Sequence, residues 1–288
     1  EMCIRDRACT DRTGFRAACS PVARASGFWA IVTQCSSTST RGLNAGDNFV
    51  RMSRVKVHPL RLRYSNAYLL VGDRPMLVDT GSRGDGPRIE AALAATGFRL
   101  RDLSLILHTH VHSDHFGNTA DLAAKAGCPV SFHPADKPLA TQGHNGMLQG
   151  IGLRGRVLAR LCANLPFQSI DAGIPAQEGM RLDTFGVGGR ILHTPGHTAG
   201  SITVLLDSGE AIVGDTIMGG WAGGVIRGTM PNFHYFAEDL PLAMAGLDRI
   251  LAASTGQLFV GHGGPLRRDD VARWRAVRGI AAPGGGSP

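Results

Sequence analysis

A dense group of metal-binding side chains stands in the segment His110-Val-His-Ser-Asp-His115, directly after a short apolar run. The run has the composition of a buried strand, so the group begins where a strand ends. Residues two apart in an extended chain face the same side, so His110 and His112 can bind one ion together. The chain then turns, which lets Asp114 and His115 face a second ion. This segment predicts a metal site at the end of a sheet strand.

The same arrangement, a strand followed by a metal-binding side chain, is repeated at three distant places. Predicted strands at 190–193, 211–214 and 257–260 are followed by His197, Asp215 and His262. Open α/β sheets place their sites beyond the carboxyl ends of strands. The four segments therefore predict one site built from distant parts of the chain. Imidazole and carboxylate donors without thiolate suit zinc, iron or manganese and argue against a structural zinc site.

These motifs resemble those of a known family, the metallo-β-lactamase superfamily of metallohydrolases. The resemblance is carried by the strings Thr109-His-Val-His-Ser-Asp-His115, Thr194-Pro-Gly-His-Thr198, Gly214-Asp215-Thr216 and Gly261-His262-Gly263. Two further strings, Asn66-Ala-Tyr-Leu-Leu70 and Leu77-Val-Asp-Thr-Gly81, are similar to the opening strands of that family. The glyoxalase II-like branch is the expected position within the superfamily.

The resemblance implies a ligand set and a mechanism. One ion would be held by His110, His112 and His197, the other by Asp114, His115 and His262, and Asp215 would bridge them. Two zinc ions are expected, with iron or manganese as alternatives. Together they would make a water acidic enough to attack at neutral pH, and Asp114 would orient that water or carry its proton as a catalytic residue.

Supporting residues are expected around the ligands. In the superfamily, the aspartate that matches Asp79 supports the metal-binding loop without binding metal. His108 and His193 stand next to ligand motifs, and each either orients a ligand or simply ends a strand. The candidates for substrate binding are Trp221, His234 and Tyr235, from the glycine-rich stretch 219–236, for which packing against the sheet edge is an equal alternative.

The fold implied by the resemblance is an α/β, four-layer αβ/βα sandwich. Strands are predicted at 55–59, 67–71, 76–79, 103–107, 129–133, 190–193, 201–206, 211–214 and 257–260, and helices at 87–96, 118–126, 238–253 and 269–279. The hydrolase domain is expected to span 52–288. Within it, an insert at about 134–180 carries a basic amphipathic helix with Arg154, Arg156 and Arg160, which either forms a lid over the metals or covers a sheet face.

Composition limits the other roles. The chain has 43% hydrophobic residues and a net charge of +7, yet no apolar run approaches the ~20 residues of a membrane span. No basic stripe interleaved with aromatic residues appears, so neither nucleic acid nor membrane is an expected partner. We expect residues 1–51 to be a disordered or non-native extension, and the protein to be cytoplasmic. The oligomeric state stays open, with a homodimer as one option.

The expected reaction is hydrolysis of a small ester-like substrate. A thioester of the hydroxyacylglutathione kind is the first choice, because glyoxalase II enzymes share the full ligand set. A lactone or a phosphodiester is the alternative within the same fold. A different class is a mononuclear iron persulfide dioxygenase, which would use only His110, His197 and Asp215.

Overall fold

A computed structural model of the protein describes residues 54–278. The predicted extension at 1–51 lies outside the described residues. Among the described residues, no helix is long and apolar enough to cross a membrane.

The first sheet has six strands, arranged in their order along the chain. They are β1 (Lys56–Arg61), β2 (Asn66–Val71), β3 (Pro75–Val78), β4 (Ile106–Leu107), β5 (Val130–Phe132) and β6 (Ile174–Pro175). Strands β1 to β3 pair antiparallel, whereas β3 to β6 pair parallel. The helices of this half are α1 (Gly86–Ala95), α2 (Ser113–Phe116), α3 (Thr119–Ala126), α4 (Lys137–Gln142) and α5 (Gly152–Cys162).

The second sheet has four strands and belongs to the later half of the chain. Its strands are β7 (Gly189–His193), β8 (Ile202–Leu206), β9 (Ala211–Gly214) and β12 (Leu258–Val260), in the spatial order β12-β9-β8-β7. Between β9 and β12 the chain forms a separate hairpin of β10 (Met218–Trp221) and β11 (Ile226–Asn232). The helices are α6 (Leu240–Ala253) and α7 (Arg268–Ala276).

The apolar faces of these elements produce four layers. Side chains alternate between the two faces of a strand. In β2, Leu69 packs with residues of α1 and α3, while its neighbour Leu70 packs between the sheets with Val204 of β8. On the far side, Val213 of β9 packs with Leu247 of α6. The order helix, sheet, sheet, helix confirms the predicted αβ/βα sandwich.

The predicted elements are present, most of them within two residues of their expected ends. The prediction was wrong for residues 103–105, which precede the short strand β4. There a 3-10 turn over Leu100–Asp102 leads in. The Ser104 amide and hydroxyl both donate to the Pro75 carbonyl, so contact with β3 begins before the regular strand. The hairpin of β10 and β11 was not predicted, because its segment is rich in glycine.

Candidate metal centre

The cluster of predicted donors lies where the edges of the two sheets meet. His110, His112, Asp114 and His115 follow β4, whereas His197, Asp215 and His262 follow β7, β9 and β12. The four groups of the described residues that could hold an ion are all drawn from this cluster, joined by His234. The structure therefore brings the seven predicted ligands together, although their roles as ligands remain predictions.

Three histidines form the first half-site. The donor atoms of His110, His112 and His197 lie close enough for one ion, and His112 Nδ1 is 3.1 Å from His197 Nε2. In tetrahedral geometry, two donors each about 2.0–2.1 Å from one zinc are separated by roughly 3.3 Å. The nitrogen spacing in the half-site therefore fits a shared ion.

The second half-site joins a carboxylate to two histidines. Asp114, His115 and His262 form it, with His262 Nε2 at 3.3 Å from Asp114 Oδ2 and His115 Nε2 at 3.8 Å from the same oxygen. Asp114 is the most exposed of these donors, with 29% of its side chain accessible, so it can also reach a molecule in the adjoining cavity.

Asp215 lies between the two half-sites. Its Oδ2 is 3.7 Å from His110 Nε2 and 3.6 Å from His197 Nε2 on one side. On the other side the same oxygen is 3.4 Å from His115 Nε2 and 3.2 Å from His262 Nε2. Gly261 is required beside it, because a Cβ there would collide with Asp215 Oδ1 and the ring of His115. One carboxylate oxygen is thus within reach of both predicted ions.

Hydrogen bonds behind the rings decide which nitrogen faces the centre. His197 donates from Nδ1 to the carbonyl of Phe236 at 2.9 Å, and His262 donates from Nδ1 to that of Tyr64 at 2.8 Å. His115 donates from Nδ1 to Asp79 Oδ2 at 2.9 Å. Each ring therefore turns Nε2 inward, and this is the nitrogen that would bind a metal once the ring is neutral. His110 Nε2 and His115 Nε2 are buried without a hydrogen-bond partner among the described residues, which fits a role as metal ligands.

Burial and charge set the protonation of the two half-sites differently. Burial lowers the pKa of His110 and His197, and it lowers that of His112 to about 3. These rings are neutral at physiological pH. Burial also opposes charge on His262, but Asp215 and Asp114 outweigh it and raise its pKa to about 10. The carboxylates Asp215, Asp114 and Asp79 likewise raise the pKa of His115 well above its usual range.

Asp79 supports the centre from behind. It is buried, and its backbone has a positive φ of 63°. Its two oxygens accept from the amide and the hydroxyl of Thr109, and from His115. His108 lies 3.6 Å from the same carboxylate through Nδ1, packs against Phe116 and has its Nε2 at 3.0 Å from the Thr119 hydroxyl. It also interacts with the backbone of the predicted ligand His115. These contacts agree with the predicted supporting role of Asp79.

The structure decides between the two alternatives for His193 and corrects the assignment of Trp221. His193 was expected to orient a ligand or to end its strand, and its ring stacks on His133 at 3.8 Å while its Nε2 lies 2.9 Å from the carbonyl of Ala199. It therefore ends its strand without reaching the cluster. Trp221 was a candidate for substrate binding, yet it does not line the cavity over the centre, whereas its neighbour Ala222 does.

Asp136 is a supporting residue that the sequence did not reveal. Its side chain is buried at the start of the insert, and it accepts from the amides of Val111 at 3.0 Å and Gly200 at 2.7 Å. It also accepts from the hydroxyl of Thr198 at 2.9 Å. Val111 separates two predicted ligands, and Thr198 follows His197. Asp136 thus joins the two loops that form the first half-site.

A cavity of about 580 Å³ opens over the cluster. Its floor includes His112, Asp114, Asp215 and His262. The predicted insert contributes much of the wall, with Asn145, Leu148, Leu158, Cys162 and Leu165, and the candidates His234 and Tyr235 also line it. Apart from the cluster, Arg83 is the one charged side chain in this lining. The cavity is thus mainly apolar and has a cation at its border.

Comparison with known proteins places the chain among related sequences. Residues 60–223 match the family model described as the Metallo-beta-lactamase superfamily. The chain is 28% identical over 200 residues to a probable metallo-hydrolase of Methanocaldococcus jannaschii, an alignment that covers 69% of this chain and 87% of the relative. It is 31% identical over 160 residues to a hydroxyacylglutathione hydrolase of Acidiphilium cryptum, covering 56% of this chain and 51% of that protein.

Solved structures give the same result for the fold. TTHA1623, crystallised in a di-iron-bound form, has 29% sequence identity and a TM-score of 0.53, with 75% of this chain and 98% of that one covered. The metallo-beta-lactamase family protein TTHA1429 of Thermus thermophilus has 24% identity and a TM-score of 0.54, with 78% and 79% covered. The second likeness concerns the fold alone.

Proposed function

Because the chain belongs to the metallo-beta-lactamase superfamily, we propose that it is a dinuclear metal-dependent hydrolase. The observation that carries the proposal is the position of Asp215 Oδ2, within 3.2–3.7 Å of donor nitrogens from both half-sites. The first ion is assigned to His110, His112 and His197, and the second to Asp114, His115 and His262. Zinc is the first choice of metal, and iron is the second, since a related protein was crystallised with two iron atoms.

The metals, when bound, supply Lewis-acid polarisation of a scissile carbonyl and an acidified water as the nucleophile. The side chains of the protein orient the water and hold the metal-binding loops. Asp114 borders both the second half-site and the cavity, so its carboxylate is assigned to orient the attacking water and accept its proton. Asp79 and Asp136 hold the loops in place. The buried neutral rings of the first half-site keep their lone pairs available at neutral pH.

The cavity favours a thioester with one anionic end as the substrate. Leu148, Leu158 and Leu165 provide an apolar wall for the acyl group, while Arg83 can bind a carboxylate on the thiol portion. Hydrolysis adds water across the carbon–sulfur bond, releasing a carboxylic acid and a thiol. A hydroxyacylglutathione fits this description, because its thiol portion carries carboxylates. A similar protein of Acidiphilium cryptum is named for that activity, although this chain spans 51% of its length.

Metal analysis and a substrate panel test the proposal. The full chain, purified without chelator and without added metal, is expected to hold about two ions, measured by inductively coupled plasma mass spectrometry. It should release thiol from S-lactoylglutathione faster than it opens a lactone or a β-lactam or cleaves a phosphodiester. One iron per chain with oxygen consumption on a persulfide would refute hydrolysis, and preference for a lactone or phosphodiester would refute the thioester.

Two variants separate the centre from its surroundings. Asp215→Ala should lose nearly all activity and part of its metal, because both half-sites share this carboxylate. His58→Ala is the matched control, since His58 lies on the edge strand β1 away from the cluster. Arg83→Ala should raise KM for the anionic thioester while leaving kcat almost unchanged. If Arg83→Ala leaves KM unaltered, the assignment of the anionic end is wrong.

A further inference from the structure

His234 belongs to the metal centre, although it is outside the set of seven predicted ligands. Its side chain is 7% exposed, and its Nε2 is 3.2 Å from Asp215 Oδ2, the same distance as His262 Nε2. Its ring packs edge-on against that of His197, with 4.6 Å between ring centroids. By position alone, His234 could therefore be an eighth ligand or a group of another kind.

The hydrogen bonds behind the ring distinguish these roles. His197 and His262 donate from Nδ1 to carbonyl groups, so in the neutral form of each ring the lone pair is on Nε2. His234 is connected in the opposite sense, because its Nδ1 accepts from the amide of Phe236 at 3.1 Å. Within residues 54–278, the Phe236 amide has no other acceptor. A neutral imidazole that accepts at one nitrogen carries its hydrogen on the other.

His234 Nδ1 has a second neighbour, the carbonyl of Phe236, but this contact does not move the hydrogen from Nε2. The carbonyl of Phe236 is also 3.2 Å from His234 Nδ1, but it already accepts from His197 at 2.9 Å. Were His234 to donate to that carbonyl as a neutral ring, the part-buried amide of Phe236 would lose its acceptor, which is unfavourable. A protonated ring would donate from Nε2 as well. The favoured neutral form and the protonated form thus both carry a hydrogen on Nε2, the nitrogen that lies 3.2 Å from Asp215 Oδ2.

We propose that His234 is a positioning residue: its Nε2–H donates to Asp215 Oδ2 and holds that oxygen between the two half-sites. The inference rests on the proposed function, which makes Asp215 the shared ligand. His234 thus differs from the seven predicted ligands in offering a hydrogen where they offer lone pairs. The expected consequence is tighter binding of metal, in the manner of groups that orient a ligand from behind.

Three substitutions at this position separate a hydrogen-bond donor from a ligand. His234→Gln can place an amide N–H near the position of Nε2, whereas His234→Glu offers a metal-binding oxygen and no hydrogen. His234→Ala removes both. The matched control is His144→Ala, because His144 Nδ1 accepts from the amide of Gly146 at 3.0 Å with the same two-residue spacing, outside the cluster.

Zinc affinity is measured by competition with a chromophoric chelator, and the coordination of substituted Co²⁺ by its visible absorption. We expect His234→Ala and His234→Glu to lose about 10–100-fold in affinity for one ion while still binding two. His234→Gln and the control should stay near the wild type, with an unchanged cobalt spectrum. Circular dichroism and the unfolding midpoint of each metal-free variant check the fold.

Each other result overturns the proposal in a defined way. If His234→Glu matches the wild type, or if His234→Ala binds one ion fewer with an altered cobalt spectrum, His234 is a ligand. Unchanged affinity in His234→Ala means that the hydrogen bond has no positioning role. A wild-type protein that binds a single ion refutes the dinuclear function, yet the comparison of Gln with Glu still decides how His234 acts on that ion.

Discussion

Replacement of Asp136 by alanine is the sharpest test of how the first half-site is held together. The carboxylate accepts from the amides of Val111 and Gly200 and from the hydroxyl of Thr198. Thr198 can still bond to the Ser201 hydroxyl at 2.9 Å, so two buried amides lose their acceptor. Each costs about 1–3 kcal/mol when unsatisfied.

The net loss is smaller than the sum of these costs. Burial raises the pKa of Asp136, which shows that the native fold carries a penalty for enclosing its charge. We therefore expect Asp136→Ala to lower the free energy of unfolding by about 3 kcal/mol. Asp136→Asn should lower it by about half as much, because the amide keeps one acceptor oxygen but turns a donor toward the other partners.

The assay is urea unfolding of the metal-free protein, followed by zinc titration of the folded variants. Zinc affinity should fall with stability, because the Val111 and Thr198 segments carry ligands of the same ion. Asp121→Ala is the control, since this carboxylate of α3 is 59% exposed and forms an ion pair with Lys125 at the surface. Its effect should be within about 0.5 kcal/mol. A loss below about 1 kcal/mol in Asp136→Ala would refute the reasoning.

Three further outcomes are expected. Asp79→Asn should weaken zinc binding about 10–100-fold, measured by chelator competition, because His115 loses its charged acceptor. Zinc uptake at pH 7 should release protons from His115 and His262, detected with an indicator dye, and affinity should fall as the pH falls. Burial and the neighbouring His193 lower the pKa of His133 to about 4, below its unfolded value near 6.5. The unfolded state therefore binds more protons on this residue between these values, which contributes to a fall in the urea unfolding midpoint from pH 7 to pH 4. His133→Phe should reduce that fall, and the buried rings of His110, His112 and His197 contribute to what remains.

The predicted ligands could be located from the sequence because each lies in a short segment that follows an apolar strand. Strand periodicity and residue type are local signals, and they identified His197, Asp215 and His262 without knowledge of their neighbours. The supporting residue Asp136 gave no such signal, unlike Asp79, which directly follows β3. Asp136 accepts from Val111 and Gly200, which are 25 and 64 residues away, so only the folded chain reveals its role.

The hairpin of β10 and β11 was missed for a related reason. Gly220, Ala222 and Arg227 all have positive φ, so the segment contains several turn residues and lacks the alternating apolar pattern of a strand. The pairing of Met218 with Asn232 depends on tertiary contacts, which periodicity does not detect. His234 follows this hairpin directly. Its orientation toward Asp215 therefore could not be predicted, and the sequence alone made it only a candidate for substrate binding.

The division of the predicted ligands between two sheets has a consequence for when metal can be acquired. Each proposed ion takes two donors from the segment after β4 and at least one from the later half of the chain. A nascent chain emerging from the ribosome with only its first sheet would offer an incomplete coordination sphere to either ion. The donors of the first ion would be complete once β9 and Asp215 have been synthesised, whereas the second ion would need β12 and His262. Full occupancy of both half-sites would thus report on completed folding.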